Sequence, residues 1–255
     1  IRYIRKPVWY KGTVLAAING DERAIYIKDM FARIAHRYDV MNSVMTAGQD
    51  VHWRREVIRR AELPPGSFLL DLGAGTGDLA REALRQCSSC RSAAADFTIQ
   101  MMHVGQSRPD RPHSESSRLD WIAADAGCLP FHDQVFDAVV SGFLLRNVSD
   151  VFNCLHEQYR VLKPGGMIVV LDTTPPGWSI FSPLVKFHLR FLIPMLGGAL
   201  TGQSDAYRYL PASTQAFLEP EQLASRVMDA GFKNVGFRRM MFGTVAIHWG
   251  RKPVH

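Results

Sequence analysis

The stretch Leu69-Leu70-Asp71-Leu72-Gly73-Ala74-Gly75-Thr76-Gly77-Asp78 carries the strongest chemical signal in the chain. A short apolar run ends in an acid, Asp71, and a glycine-rich turn then feeds a helical pattern. Glycines at such a turn let the backbone approach a ligand closely and adopt positive φ. A dinucleotide fingerprint would read GxGxxG. Here Gly73, Gly75 and Gly77 alternate, and Asp78 stands where the last glycine of that fingerprint belongs. An aspartate facing a pyrophosphate is repulsive. A sulfonium cofactor with a free amino group needs the opposite, a carboxylate and carbonyls near its cationic end, and Asp71 meets that need. The turn therefore points to S-adenosylmethionine rather than NAD.

Two more acids fall at strand ends. Asp96 follows Asp71 by 25 residues and can accept hydrogen bonds from both ribose hydroxyls. Asp125, in Ala123-Ala124-Asp125-Ala126, can pair with the exocyclic amine of adenine while Ala126 offers its backbone N–H. A single acid in this position is often a helix cap. Three of them at the carboxyl ends of successive strands, where open α/β sheets bind ligands, read as a site.

The acceptor class turns on the segment after the fourth strand. Enzymes that methylate exocyclic amines carry an Asn/Asp-Pro-Pro-aromatic turn there, whereas this chain has Ser141-Gly142-Phe143-Leu144-Leu145-Arg146-Asn147. The Pro-Cys dipeptide of a cysteine-nucleophile route on pyrimidine carbons is also missing. Arg146 and Asn147 bring a cation and an amide near the expected transfer point; as surface residues they would instead cap the helix starting near Asp150.

Alternating elements must position these residues. The spacing of Ile27, Met30, Phe31 and Ile34 suits an amphipathic helix from Arg23 to about His36. Residues 38–49 read as an irregular loop, after which Asp50 caps a helix through Arg60. Beyond Pro64-Pro65-Gly66 come strands at 68–70, 92–95, 119–124, 136–141 and 167–171, with helices at 78–86, from about Ile99, and at 150–162. Such alternation implies a parallel sheet covered on both faces. A helix at 219–230 and two strands, 232–240 and 243–250, close the chain as a hairpin. The expected fold class is α/β: a doubly wound, Rossmann-like class I methyltransferase sheet of seven strands with the last antiparallel, plus N-terminal helices and a helical insertion after strand 5. Residues 1–63 are expected to be an arm and helices forming a lid, and 64–255 the catalytic domain, with 178–218 as a substrate-side insertion.

Composition agrees with one large core, since 47% of the 255 residues are hydrophobic and 21% charged. Residues 1–60 hold 12 Lys/Arg against 6 Asp/Glu, which accounts for the whole net charge of +6. A basic first quarter suits an anionic lipid surface, a nucleic acid or an acidic ligand, and suits a solvated helical face equally well. Four cysteines do not make a disulfide framework, and Cys87-Ser-Ser-Cys90 lacks a second pair for zinc. The segment from Trp178 to Leu200 is apolar but broken by Pro183 and Pro194 and dotted with Lys186, His188 and Arg190. It reads as a buried helical insertion or as an interfacial element with snorkelling bases. No uncharged apolar run reaches eighteen residues, so the default is a soluble, reducing-compartment protein.

Several stretches together resemble the ubiquinone/menaquinone biosynthesis C-methyltransferases, from about Met30 to Lys252. They are Phe31-Ala-x-Ile34-Ala-x-x-Tyr38-Asp39-x-Met41-Asn42 with Gly48 and Trp53-Arg54, the glycine turn, Leu129-Pro130-Phe131, Leu145-Arg146-Asn147-Val148, Arg160-Val-Leu-Lys-Pro-Gly-Gly166 and Tyr209-Leu210-Pro211. The resemblance implies cofactor contacts at Thr76, Asp96, Asp125, Ala126 and Gly142. Two departures stand out: the family has serine at the position of Gly142 and glycine at that of Leu144, so Gly142 offers backbone only and Leu144 makes a bulkier pocket floor. The implied acceptor is a lipid-tailed quinol, demethylmenaquinol first and a benzoquinol as the alternative. Nucleic acid is disfavoured, peripheral contact at the inner face of the membrane from a cytoplasmic location is expected, and a homodimer is left open. Rival functions are an RNA or protein methyltransferase and a cofactor-binding module without turnover. For the chemistry, Arg146 is expected to supply positive charge to a phenolate, Asp78 to take its proton, Asn147 to orient them, and Tyr38 to cover the ring from the lid.

Overall fold

The computed structural model describes residues 20–108, 117–175, 209 and 212–254. The expected N-terminal arm and the 178–200 element lie outside the described residues. Seven strands form one sheet: β1 Phe68–Leu72, β2 Arg91–Asp96, β3 Leu119–Ala123, β4 Phe136–Gly142, β5 Leu162–Thr173, β6 Lys233–Met240 and β7 Val245–Arg251. Their order is β3-β2-β1-β4-β5-β7-β6. β1 pairs in parallel with β2 and β4, whereas β7 runs antiparallel between β5 and β6. The doubly wound sheet with a closing hairpin is as the sequence implied.

The apolar run in β1 faces both ways. Leu70 and Leu72 enter one core with Val139, Ile168, Leu155 and Phe232, while Leu69 enters the other with Val140, Val169 and Ile247. Such continuous hydrophobicity is what a parallel strand covered on both faces requires. Lys163-Pro-Gly-Gly166 lies inside β5 as an irregularity: Leu162 pairs with Phe136, and the register resumes at Met167 with Ala138.

The helices described are α1 Gly20–Ile34, α2 Tyr38–Met45, α3 Gln49–Arg60, α4 Asp78–Gln86, α5 Ile99–Gln106, α6 Val151–Val161 and α7 Pro220–Asp229. The 38–49 segment is thus largely helical rather than irregular, because Met41 is buried beside Ile27, Met30 and Ile34. Asp50 does not cap α3: left-handed Gly48 (φ 76°) holds the cap position. The Asp50 carboxylate, 1% exposed, accepts from Thr46 Oγ1 at 3.1 Å and pairs with Arg54 at 2.5 Å. Trp53, Val57 and Ile58 of α3 pack into the core on one face of the sheet. Among the described residues, α1 and α2 form a cap with its own apolar cluster that includes Tyr209. Cys87 and Cys90, not expected to pair, are joined by a disulfide across a Cα–Cα distance of 5.3 Å.

Candidate active site

The carboxyl ends of β1 and β2 hold the glycine turn in place. The N–H groups of Gly73 and Ala74 both donate to the Ala95 carbonyl, at 2.8 and 3.0 Å. Gly73 has φ 68°, and a Cβ there would stand 2.8 Å from Leu144 Cδ1, so only glycine fits. Asp96 accepts from the Gly75 N–H at 2.7 Å on Oδ2 and from the Thr98 N–H at 2.6 Å on Oδ1. Burial pushes the Asp96 carboxyl above its usual range, and these backbone bonds pull the other way. Asp71, 1% exposed, accepts from the Ala80 N–H at 2.9 Å, while its Oδ1 is buried without a partner. Burial pushes its pKa up to about 7.

A cleft with about 1020 Å³ of space, part of it open to solvent, lies above these strand ends. Gly73, Gly75, Asp96, Asp125, Ala126 and Gly142 line it from the sheet, and Ile27, Lys28, Phe31 and Tyr38 line it from the cap. Leu144 also faces it, the bulky floor its sequence position implied. Asp125 Oδ1 accepts from the Gly127 N–H at 2.8 Å. Lys28 lies 4.7 Å from the centroid of the Phe97 ring, spanning from α1 to the residue after Asp96. Asp71, Thr76, Asp78 and Arg146 are not among the cleft-lining residues. The sheet side fits S-adenosylmethionine: the Asp96 carboxylate for a diol and Asp125 with Ala126 for an adenine edge, with the unpartnered Asp71 oxygen buried behind the glycine turn as negative charge for a cationic end.

Polar groups converge where β4 ends. Phe143, held at φ 59°, turns the chain sharply after Gly142; a bulky residue in that region stores strain, as occurs at functional sites. Asn147 lines the cleft; its Nδ2 donates to the Phe143 carbonyl at 2.9 Å, and its Oδ1 accepts from the Tyr209 hydroxyl at 2.8 Å. Arg146, 5% exposed, pairs with Asp172 at 2.6 Å. Its Nε is buried without a partner. Burial raises the Tyr38 phenol above its ordinary value, against a hydrogen bond with Asn42 and the charge of Arg146.

Arg146 and Asp78, expected to act together on one phenolate, are each held by other partners. Asp78 Oδ1 is held by Arg108 Nη1 at 2.6 Å and Oδ2 by Arg54 Nη1 at 2.9 Å. Arg108 also pairs with Asp39 of α2 and donates to Thr76 Oγ1 at 3.0 Å. The Thr76 hydroxyl donates in turn to Asp39 Oδ1 at 2.7 Å, so its side chain serves the junction between cap and turn. The partners that claim Asp78 come from α3 and from the end of α5, and Asp172 at the end of β5 claims Arg146.

Comparison with known proteins agrees with this geometry. The family model described as the ubiE/COQ5 methyltransferase family matches residues 18–252. The chain belongs to that family. It is 44% identical over 226 residues to the ubiquinone/menaquinone biosynthesis C-methyltransferase UbiE of Desulfotalea psychrophila, covering 89% of this chain and 90% of that protein. It is 38% identical to the demethylmenaquinone methyltransferase of Thermus thermophilus, over 88% of this chain and 100% of that one. Among solved structures, human N-acetylserotonin methyltransferase in complex with SAM superposes with a TM-score of 0.63 at 16% identity, covering 96% of this chain and 63% of that one. At that identity the likeness speaks for the fold. The expectation of a methyltransferase therefore stands.

Some residues of this ubiE/COQ5 member were not singled out by sequence. Arg81 of α4, 7% exposed, donates to the Thr76 carbonyl and to the Gly105 carbonyl, both at 2.6 Å, and so fixes the end of the glycine turn. Arg54 and Tyr209 stood inside family-like motifs with no role attached. Arg23, Arg108 and Asp172 carried no local signal, because their partners lie on distant elements.

Proposed function

We propose that this methyltransferase uses S-adenosylmethionine to methylate a ring carbon of a lipid-tailed quinol, with demethylmenaquinol as the preferred acceptor. The observation that carries the reading is that one cleft joins the strand-end acids to a region where Asn147, Tyr38 and apolar Phe31, Leu144 and Val148 meet. Planar, largely apolar rings fit such a lining, and a few convergent polar groups orient them. The names of the relatives in quinone biosynthesis support the same acceptor class.

In this reading Asp96 takes the ribose hydroxyls, Asp125 and the Ala126 N–H take the adenine, and Gly73, Gly75 and Gly142 offer backbone only. Thr76 contributes through the turn it holds, and Asp71 balances the cationic end. Bound S-adenosylmethionine supplies an electrophilic methyl group. A ring carbon becomes nucleophilic when its neighbouring phenol ionises, and the residues here supply charge and alignment for that state. Arg146, buried behind the cleft with Asp172, bears on the phenolate by its charge, and Asn147 orients the ring under Tyr38. Asp78, with both oxygens held by arginines, anchors the cap instead of moving a proton.

No helix among the described residues is long and apolar enough to cross a membrane. Peripheral contact with the bilayer is part of the proposal because the acceptor's tail resides there, and co-sedimentation with anionic vesicles checks it. The decisive test is incubation of the purified protein and S-adenosylmethionine with demethylmenaquinol and with its benzoquinol counterpart, followed by product mass. A mass gain of one methyl group on the first supports the reading, and no gain on either overturns it.

A further inference from the structure

Helix α1 brings Arg23 to bear on Arg146 and Asn147 at once. The Arg23 Nη2 donates to the main-chain oxygen of Arg146 at 2.9 Å. The Arg23 guanidinium also bears on the Tyr209 phenol by its charge, and that hydroxyl donates to Asn147 Oδ1 at 2.8 Å. Asn147 completes the run by donating from Nδ2 to the Phe143 carbonyl at 2.9 Å. From hydroxyl to amide to carbonyl the donors all point one way, with the guanidinium charge behind them. Because Nδ2 is committed to Phe143, Oδ1 must face Tyr209; because that hydroxyl donates to Oδ1, its lone pairs face Arg23. Each bond fixes the direction of the next, and charge at one end polarises the series.

The series ends in a residue of the cleft, Asn147, and begins on the cap. Tyr209 is 4% exposed and packs in the cap's own cluster with Ile27, Met30 and Ile34. The Arg23 Nε is buried without a partner. A half-buried guanidinium is costly to hold in place unless its remaining donors are well used. Simple attachment of α1 to the body would be met by one surface pair. What stands here instead is a two-point grip on consecutive residues, 146 by its backbone and 147 by its side chain.

We infer that Arg23 is a positioning residue for the methyl acceptor: through Tyr209 and the Arg146 carbonyl it sets Asn147, so the acceptor end of the cleft is assembled only when α1 is seated. This rests on the reading of the chain as a quinol methyltransferase.

The test uses the full chain with Arg23→Ala, Arg23→Lys, Tyr209→Phe and the Arg23→Ala/Tyr209→Phe double variant, and Arg33→Ala on the exposed side of α1 as a control. With demethylmenaquinol as acceptor, Arg23→Ala and Tyr209→Phe should each lower kcat by about 10- to 100-fold. S-adenosylmethionine affinity by calorimetry should stay within about 2-fold, Arg23→Lys should recover part of the loss, and the double variant should lose little more than either single one. Losses that multiply in the double variant, or a kcat unchanged in Arg23→Ala, overturn the relay. A wild-type protein inactive on the quinol would count against the acceptor reading alone. For that case hydrogen exchange of amides 143–147 serves without any acceptor: both single variants should speed it by about 10-fold over wild type. Unchanged protection there overturns the relay whatever the acceptor is, as does an equal effect from Arg33→Ala.

Discussion

Asp39 of helix α2 accepts a 2.7 Å hydrogen bond from the hydroxyl of Thr76 in the glycine turn, which ties the cap to the loop that would receive the cofactor. Arg108 reinforces the tie by pairing with both Asp39 and Asp78 while its side chain is 20% exposed. Charge-assisted bonds in such a setting are stronger than those on an open surface.

The first prediction follows from that junction. Arg108→Ala leaves Asp39 with one partner fewer and should cost about 1–3 kcal/mol of stability. For a domain of this size that corresponds to a Tm lower by roughly 3–10 °C. S-adenosylmethionine binding should weaken in parallel, because the turn loses its brace. Thermal unfolding with and without cofactor checks this. A variant with wild-type Tm and affinity would show that the junction holds nothing in place.

The second prediction separates the two ligand acids. Asp96→Ala removes the acceptor for the Gly75 and Thr98 N–H groups as well as any ligand bond. Asp125→Ala removes only the acceptor for Gly127. Calorimetry should therefore show a loss of about 1–3 kcal/mol in cofactor binding for Asp125→Ala and a larger one for Asp96→Ala. The reverse order, or none, would displace these residues from the site.

Local features made much of this legible in advance, and long-range partners explain what was not. Strand β1, the turn after it and the acids at 71, 96 and 125 are contiguous patterns in which residue type and spacing carry the information. Helix α2 was read as a loop because Tyr38-Asp39-Val40-Met41-Asn42-Ser43-Val44-Met45 has β-branched residues and no cap signal. Tertiary contacts override that: Phe31 meets the Tyr38 ring edge-on at 5.8 Å, Met41 is buried, and Asp39 is held by Thr76. Asp50 looked like an N-cap because its type and place were right, but the left-handed turn at Gly48 starts α3 before it. Asp78 and Arg146 follow central strands, which places both toward one rim; the competing partners Arg54, Arg108 and Asp172 have no sequence spacing that announces them.

The third prediction uses acidity. Burial pushes the Asp71 carboxyl up to about 7 from its ordinary value of 3.8. Between those values the native state binds the proton that the unfolded chain has released. Stability therefore falls as pH rises through that window, by up to about 1.4 kcal/mol per unit from this group. Below about pH 4 both states are protonated and the contribution vanishes. Without cofactor, the gap in Tm between Asp71→Asn and wild type should widen in favour of the variant from about pH 4 to about pH 7. A constant gap across that range would remove Asp71 as a strained acid.

The last prediction divides catalysis from anchoring at Arg146 and Asp78. Arg146 and Asp172 are both buried, so Arg146→Ala would strand a carboxylate and unfold part of the protein, which makes it a poor probe. Arg146→Lys keeps the charge beside Asp172 but loses the Nε–H and the planar fork. If the place of that charge, fixed by the fork, serves the phenolate, kcat should fall by about 10- to 100-fold with little change in Tm or cofactor affinity. Asp78→Asn should behave in the opposite way. It keeps one acceptor oxygen between Arg54 and Arg108 and removes the charge that holds them, so Tm and cofactor affinity drop while kcat at saturating cofactor stays within about 3-fold of wild type. Steady-state kinetics at saturating S-adenosylmethionine, beside thermal unfolding, distinguishes the two. A large loss of kcat in Asp78→Asn with unchanged Tm would return that carboxylate to the chemistry, and a fully active Arg146→Lys would take the guanidinium out of it.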